Sequence, residues 1–386
     1  MDTGIGTLTA QSCDTDERRA VREFHSGVSQ PRMALVVFFC SSEYDLDLLA
    51  DEMRTLFAGV QVVGCTTAGE LGPGGCRDHS LTGVSFSAET FAASTGLIER
   101  LQGFESAQSE PFVQDLLGQL EAARPQATAS DTFAFLLIDG MSVREEQVAS
   151  ALQHALGEIP LVGGSAGDGL EFGPTYVYSD GRFHADSAVV FLVSTPLPFL
   201  VFKTQHFVPT SRRVVVTSAD AEHRIVHEID GWSAADAYAR LADAKPNDLD
   251  SLRFAASPVV VLIDGTNYVR SIQKANPDGS LTFFCAIEEG VVLRVGHGID
   301  LEANLRDAFA EVAEAIGPPQ LVLGCDCILR KIEIVQSGIV DHVEQVFIEN
   351  NVVGLNTYGE QYHGVHVNQT FTGIAFGRPV PGTRDD

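Results

Sequence analysis

A turn that occurs twice in the chain is the most specific candidate for ligand chemistry. VVGCTTAGE begins at position 62 and VVGLNTYGE at position 352, so both follow the pattern G-x-x-T-x-G-E. Glycine permits positive φ and close backbone approach, threonine bonds to its own turn, and glutamate accepts from exposed N–H groups or a bound amine. We therefore predict a ligand pocket lined by Thr67, Gly69, Glu70, Thr357 and Glu360. The competing interpretation is that these turns only connect the strands of a duplicated fold.

A related small-residue turn, GGSAGD, begins at position 163 and adds Ser165 and Asp168 to the predicted pocket. It resembles a phosphate-binding loop, but it lacks the lysine of a P-loop and no helical pattern follows it directly. Nucleotide binding is therefore disfavoured. All three turns follow strands, and open α/β sheets usually bind ligands at the ends of their strands.

The histidines offer a second kind of site, because a haem needs a neutral imidazole as an axial ligand inside an apolar pocket. His206, beside Phe207, is the first candidate for binding haem b, and His184, before a buried strand, is the second. His363 and His366 follow the repeated turn and complete the set. For each of them the alternative is an ordinary hydrogen-bonded or surface histidine.

Catalytic and zinc signatures are weak. Nothing in the spacing of Ser165, His184 and Asp186 requires a catalytic triad. The C-D-C segment at 325–327 has no second pair of ligands, so buried reduced thiols are the preferred interpretation. The sequence predicts a protein that is not an enzyme.

The elements that must position these residues indicate an α/β fold with mixed sheets, built from internally duplicated strand–helix–strand units. Continuous apolar runs predict buried strands at 33–40, 60–64, 81–86, 133–138 and 187–193. Helical periodicity predicts helices at 14–25, after position 45 and around 148–155, with capping boxes at Ser42/Asp45 and Ser142/Glu145. LIDG at 137–140 and again at 262–265 hints at a further copy of the unit.

We divide the chain into an N-terminal helical segment (1–32), an N-terminal domain (33–196) and a C-terminal domain (197–386). The boundary is set at the T-P-L-P segment, and 199–250 is expected to be a strand-rich connection. With 52 acidic and 25 basic residues the formal net charge is −27, which argues against nucleic acid or an anionic membrane as a partner. The polar N-terminus does not resemble a signal peptide, and no apolar run approaches the roughly 20 residues that span a bilayer. We therefore expect a cytoplasmic protein.

Taken together, several segments resemble the FIST family: VVGCTTAGE, PLVGGSAGDG, VVVTSADAEHRIVHEIDGWSAADAY and GLNTYGEQY, in order over 35–377. The resemblance implies a signal-sensing protein with FIST N and FIST C regions that binds a small ligand. Stand-alone members are described as haem-based nitric oxide sensors that act on a separate histidine kinase. The resemblance thus implies haem b and a sensor histidine kinase or other signalling protein as partner. The alternative is a sensor of an amino acid or similar small polar metabolite without haem. An enzyme of unknown type and a structural adaptor are the less favoured alternatives, and a homo-oligomer is left open.

Overall fold

Three α/β units with the same strand order make up most of the molecule. The structure is a computed structural model and describes residues 4–245, 248–263 and 265–378. The first unit comprises β1 (Thr7–Ser12), α1 (Glu17–Val28), β2 (Met33–Ser41), α2 (Leu46–Leu56), β3 (Val62–Thr67), β4 (Glu70–Gly72), β5 (Gly75–Arg77) and β6 (Leu81–Ser87). The second unit comprises β7 (Ala92–Glu99), α3 (Ser109–Ala123), β8 (Thr132–Ile138), α4 (Glu145–Leu156), β9 (Leu161–Ser165), β10 (Val177–Ser179), β11 (Arg182–His184) and β12 (Ser187–Ser194).

The third unit is interrupted by a long insertion after its first strand. That strand is β13 (Phe199–Thr204). The insertion comprises β14 (Phe207–Asp220), β15 (Ile225–Ile229), β16 (Trp232–Ser233), α5 (Ala234–Leu241), α6 (Ser251–Ala256), β17 (Val259–Ile263), β18 (Thr266–Arg270), β19 (Ile272–Ala275), β20 (Leu281–Phe283) and β21 (Val292–Gly298). The unit resumes with α7 (Leu301–Ile316), β22 (Leu321–Cys327), α8 (Ile328–Gln336), α9 (Val340–Glu349), β23 (Val352–Thr357), β24 (Glu360–Tyr362), β25 (Val365–Val367) and β26 (Phe371–Phe376).

The three units exchange hairpins in a cycle. Their six-stranded sheets run β1-β6-β2-β3-β10-β11, β7-β12-β8-β9-β24-β25 and β13-β26-β22-β23-β4-β5. Each sheet therefore ends in a two-stranded hairpin that another unit supplies: the first unit gives β4–β5 to the third, the second gives β10–β11 to the first, and the third gives β24–β25 to the second. The insertion forms an eight-stranded sheet of its own. No unit completes its sheet with its own residues.

The three sheets share one core, which explains why their strands are apolar throughout. Val37 of β2, Leu137 of β8 and Leu323 of β22 belong to one buried cluster. The ring of Phe376 lies within 6.2 Å of Phe86 and 5.6 Å of Phe133, centroid to centroid, and so joins all three units. Helices cover the opposite face of each sheet. A strand buried on both faces needs a continuous apolar run, and β2 (MALVVFFCS) has one.

The predicted α/β class with mixed sheets is confirmed, with several local corrections. The capping box predicted at Ser42 is wrong, because Asp45 is the N-cap of α2 and accepts from the backbone of Asp47 and Leu48. The capping box predicted at Ser142 and Glu145 is also wrong, because α4 begins at Glu145 with Arg144 as its N-cap and no side chain caps the helix. The second LIDG is not a further copy: β17 pairs antiparallel with both neighbours, whereas β8 runs parallel to β9, and position 264 lies outside the described residues.

The N-terminal segment contains a strand as well as the expected helix. Residues 1–32 were expected to be helical, and α1 is present, but β1 precedes it and pairs antiparallel with β6 along its whole length. Among the described residues, no helix is both long and apolar enough to cross a lipid bilayer.

Candidate functional site

The two repeated turns are closed by their own buried glutamates. The carboxylate of Glu70 accepts from the hydroxyl of Thr67 at one oxygen and from the backbone N–H (2.9 Å) and hydroxyl (3.0 Å) of Ser80 at the other. Glu360 repeats this arrangement with Thr357 and Thr370. Each glutamate thus ties the end of one strand to the start of the last strand of its unit, and both side chains are fully buried.

Burial also changes the acidity of these carboxyl groups. Removal from water raises the pKa of Glu70 to about 7 and the pKa of Glu360 to about 8, although the hydrogen bonds oppose the shift. The second unit has no such group. By strand register, Val177 stands where Glu70 and Glu360 stand in the other two units, with Ala166 in the threonine position. The acid and its hydroxyl partner are replaced together.

A cleft of about 600 Å³ lies where the three units and the insertion meet. Of the seven predicted pocket residues, Thr67 and Asp168 line it. Ser165 instead lies buried and accepts from the side-chain amide of Gln361 at 3.1 Å. Gly69, Glu70, Thr357 and Glu360 build the turns and are not part of the lining. The structure therefore brings Thr67 of the first repeated turn and Asp168 of the GGSAGD turn to a common cavity.

The walls of the cleft are mainly apolar. Phe172, Phe284, Ile328 and Ile332 contribute to them, and large apolar side chains stand exposed among the lining residues: Leu170 (58% exposed), Leu252 (50%) and Val335 (59%). Exposed apolar groups around a concavity are typical of ligand sites. Ile328, Ile332 and Val335 recur at helical spacing along α8, a signal that sequence reasoning missed.

Polar residues also line the cleft, and the charged ones are Glu43, Asp78, Asp168 and Lys331. The ammonium of Lys331 donates to the carbonyl of Ala68 at 2.7 Å and pairs with Asp78. Asp168 accepts from the hydroxyl of Tyr358 and from the backbone N–H of Gly173 at 2.6 Å. The cleft therefore offers one cation and three carboxylates beside a broad apolar surface, which suits an amphiphilic molecule.

The histidines predicted to hold haem are engaged elsewhere. His206 is buried, its Nε2 lies 2.9 Å from both oxygens of Glu333, and its Nδ1 lies 3.3 Å from the guanidinium of Arg330. Desolvation lowers its pKa. His184 donates from Nε2 to the carbonyl of Ser179 at 3.1 Å, while its Nδ1 lies 3.6 Å from a carboxylate oxygen of Glu99. Neither ring presents a free nitrogen to a cavity.

The other two imidazoles do not fit an axial role either. Nδ1 of His366 accepts from Gln361 at 3.2 Å and Nε2 donates to the carbonyl of Phe284 at 3.2 Å, and burial lowers its pKa to about 4. His363 lies exposed in the turn between β24 and β25, with its ring edge-on to Tyr362. Among the described residues, none of those that line the cleft is a histidine. These four histidines therefore do not fit the axial position of a haem.

Catalytic and metal arrangements find little support in the same geometry. Ser165 of β9 and His184 of β11 belong to different sheets. Cys325 and Cys327 are buried, unpaired thiols of β22, and burial raises the pKa of both. Within 4–245, 248–263 and 265–378, no group of three or more His, Cys, Asp or Glu side chains has the geometry to hold a metal ion.

A buried ion cluster joins the insertion to the second unit. The guanidinium of Arg224 donates to Glu145 at 2.6 Å and to Glu146 at 2.5 Å, both at the start of α4. Glu146 also accepts from the backbone N–H of Ala286, at 2.7 Å. The β20–β21 connection of the insertion is thereby fixed to the second unit, close in sequence to Phe284 of the cleft.

Comparison with known proteins assigns both halves of the chain. The sequence model of the FIST N domain matches residues 34–232, and that of the FIST C domain matches residues 234–363. An uncharacterized protein, MJ1623 of Methanocaldococcus jannaschii, is 22% identical over 389 aligned positions, which cover 89% of this chain and 74% of the relative. The two matches meet beside β16, within the insertion, whereas the sequence placed the domain boundary at 196/197, which stays a prediction.

Proposed function

Because the chain belongs to the FIST family and carries both its N and C domains, we propose that it senses a small amphiphilic metabolite in the cleft. FIST domains are small-ligand sensors of signal transduction. The observation that carries the proposal is the origin of the lining. Thr67 and Phe172 come from the part matched by FIST N, whereas Phe284 and Lys331 come from the part matched by FIST C. A ligand there contacts both domains at once.

An amino acid or a similar metabolite meets the chemistry of the cleft. Its carboxylate would pair with Lys331, its ammonium with Asp168, and its side chain would cover the apolar wall of α8. Displacement of water from that wall supplies the favourable free energy, and the two charged groups set the orientation. This ligand class favours the alternative without haem.

Ligand occupancy is converted into a signal at the joint between the insertion and the three units. The insertion contributes Ile272 and Phe284 to the cleft, and the Arg224 cluster fixes it to the second unit. A ligand that binds only the closed joint shifts the population toward that state. A sensor histidine kinase or another signalling protein would read the change, and this partner remains part of the proposal.

Differential scanning fluorimetry and calorimetry with a panel of amino acids test the proposal on the full chain. We expect at least one member to raise the melting temperature in proportion to the logarithm of its concentration. Ile332→Trp, which fills the cleft, should abolish the shift. Ile348→Trp, on α9 and outside the lining, is the matched control and should preserve it. Binding that survives Ile332→Trp unchanged would place the ligand elsewhere.

An absorption spectrum of protein reconstituted with haemin distinguishes a haem-binding sensor from the proposed sensor without haem. Since both nitrogens of His206 are engaged, we expect no Soret band beyond that of free haemin. A stoichiometric band that disappears in His206→Ala or His184→Ala would overturn this interpretation.

A further inference from the structure

A second, smaller cavity adjoins the cleft and shares its polar boundary. It measures about 290 Å³, and its apolar lining comes from the exchanged hairpin β4–β5 and from helices α8 and α9: Leu71, Ile334, Val340, Val343 and Phe347. Asp78, Lys331 and Val335 line both cavities. The ion pair between Lys331 and Asp78 therefore lies at the boundary between the two cavities.

The position of Lys331 is built into the first repeated turn. A Cβ atom on Gly69 would lie 2.5 Å from the lysine Nζ and 2.6 Å from Oδ1 of Asn356, and φ at this glycine is +142°. Glycine at this position both adopts the positive φ of the turn and leaves room for the ammonium group.

Asp78 is a replaceable partner for that ammonium. Its side chain is 81% exposed, whereas that of Lys331 is 25% exposed. An exposed ion pair contributes little to stability, so a carboxylate from outside can take the place of Asp78 without leaving a buried charge unpaired. The bond from Lys331 to the carbonyl of Ala68 would remain.

We propose, on the premise of the proposed function, that the ligand is a monocarboxylate with an extended apolar tail. Its carboxylate replaces Asp78 on Lys331, and its tail enters the smaller cavity between α8 and α9. The charged residues of this cavity already have partners, so the tail would not contact an unpaired charge. Asp326, the buried acid of the cavity, is paired with Arg330 at 2.6 Å. Arg77, the other cation of the lining, faces Gly74 and Glu344 of the hairpin region and α9.

A ligand in the smaller cavity would stabilise the contact between the exchanged hairpin β4–β5 and the helices of the third unit. Glu344 of α9 already accepts from the backbone N–H of Cys76 at 3.2 Å, so the hairpin and the helix are in contact across the cavity. An apolar tail would add contact between the first unit, which supplies the hairpin, and the third, which supplies both helices. The ligand then binds at the contact between residues matched by FIST N and by FIST C.

Titration calorimetry of the full chain with octanoate tests the proposal. Octanol, octylammonium and acetate serve as controls that lack the charge, reverse it or lack the tail. We expect octanoate to bind at least about tenfold more tightly than each control, and more weakly at high salt. If octanol or octylammonium binds as tightly as octanoate, Lys331 does not bind the carboxylate as proposed.

Variants of both cavities locate the binding. Lys331→Met should lose octanoate binding, whereas Asp78→Asn, which removes the competing carboxylate, should strengthen it. Val340→Phe should exclude the tail, and Ile348→Phe on the same helix is the matched control. If Lys331→Met does not fold, the Asp78→Asn result decides: unchanged or weaker binding overturns the proposal. An amino acid that binds while octanoate does not refutes the tail and leaves the proposed function intact, and failure of both refutes both.

Discussion

The buried carboxyl group of Glu360 makes stability depend on pH in a defined direction. Its pKa rises from the usual 4.5 to about 8 in the folded chain, so the folded state holds a proton that the unfolded state has lost between these values. Stability is therefore fully present below about pH 4.5 and decreases as the pH rises toward 8. One proton corresponds to about 1.4 kcal/mol per pH unit, which gives a loss of about 4 kcal/mol over this interval.

The substitution Glu360→Gln removes this dependence while keeping the hydrogen bonds. The amide oxygen is able to accept from the N–H and hydroxyl of Thr370, and the amide nitrogen donates to the hydroxyl of Thr357, which rotates to accept. Relative to the wild type, the variant should gain stability steadily from pH 5 to pH 8. Urea unfolding followed by circular dichroism at each pH measures the difference, with Glu121→Gln on the exposed face of α3 as control. A difference between wild type and variant that stays constant across this range would refute the reasoning.

Three further predictions concern the stability of the fold. Arg224→Met leaves the buried Glu145 without a counter-charge, and urea unfolding should show a loss of about 3–5 kcal/mol. Gly354→Ala places a Cβ 1.8 Å from the carbonyl oxygen of Gly324 and should abolish soluble expression, whereas Gly118→Ala, in open space on α3, should raise stability by about 1 kcal/mol. A chain cut to residues 1–232 should lack a cooperative thermal transition, because β9 loses the hairpin β24–β25 and β4–β5 loses β23; a sharp calorimetric peak would contradict it.

Local signals in the sequence predict individual elements well. The apolar run at 33–40 corresponds to β2, and the periodicity around Val148 and Leu152 corresponds to α4, which ends at Gly157 with a positive φ. Both follow from short-range physics, since a strand buried on two faces must be apolar and a helix end favours glycine. The strand β1 escaped prediction because its order depends on pairing with β6, far along the chain.

The candidate site was only partly accessible from sequence. Thr67 and Asp168 were predicted and line the cleft, but Lys331 and Phe284 come from segments that carry no motif. The three units and the insertion all contribute to the cavity, and their meeting depends on exchanged hairpins whose strands are three residues long. His366 shows the opposite error: a polar residue after a repeated turn suggested a ligand, whereas packing against Gly359 and Phe284 buries it.

The cyclic exchange of hairpins also means that the covalent link between units is not what holds them together. If a protease cut the chain at the segment around Pro196, each fragment would still have a hairpin hydrogen-bonded into the other's sheets. Separation would require those strands to leave their partners and expose the shared core to water. A nicked chain should therefore elute from a sizing column as one species under native conditions and fall apart only in denaturant.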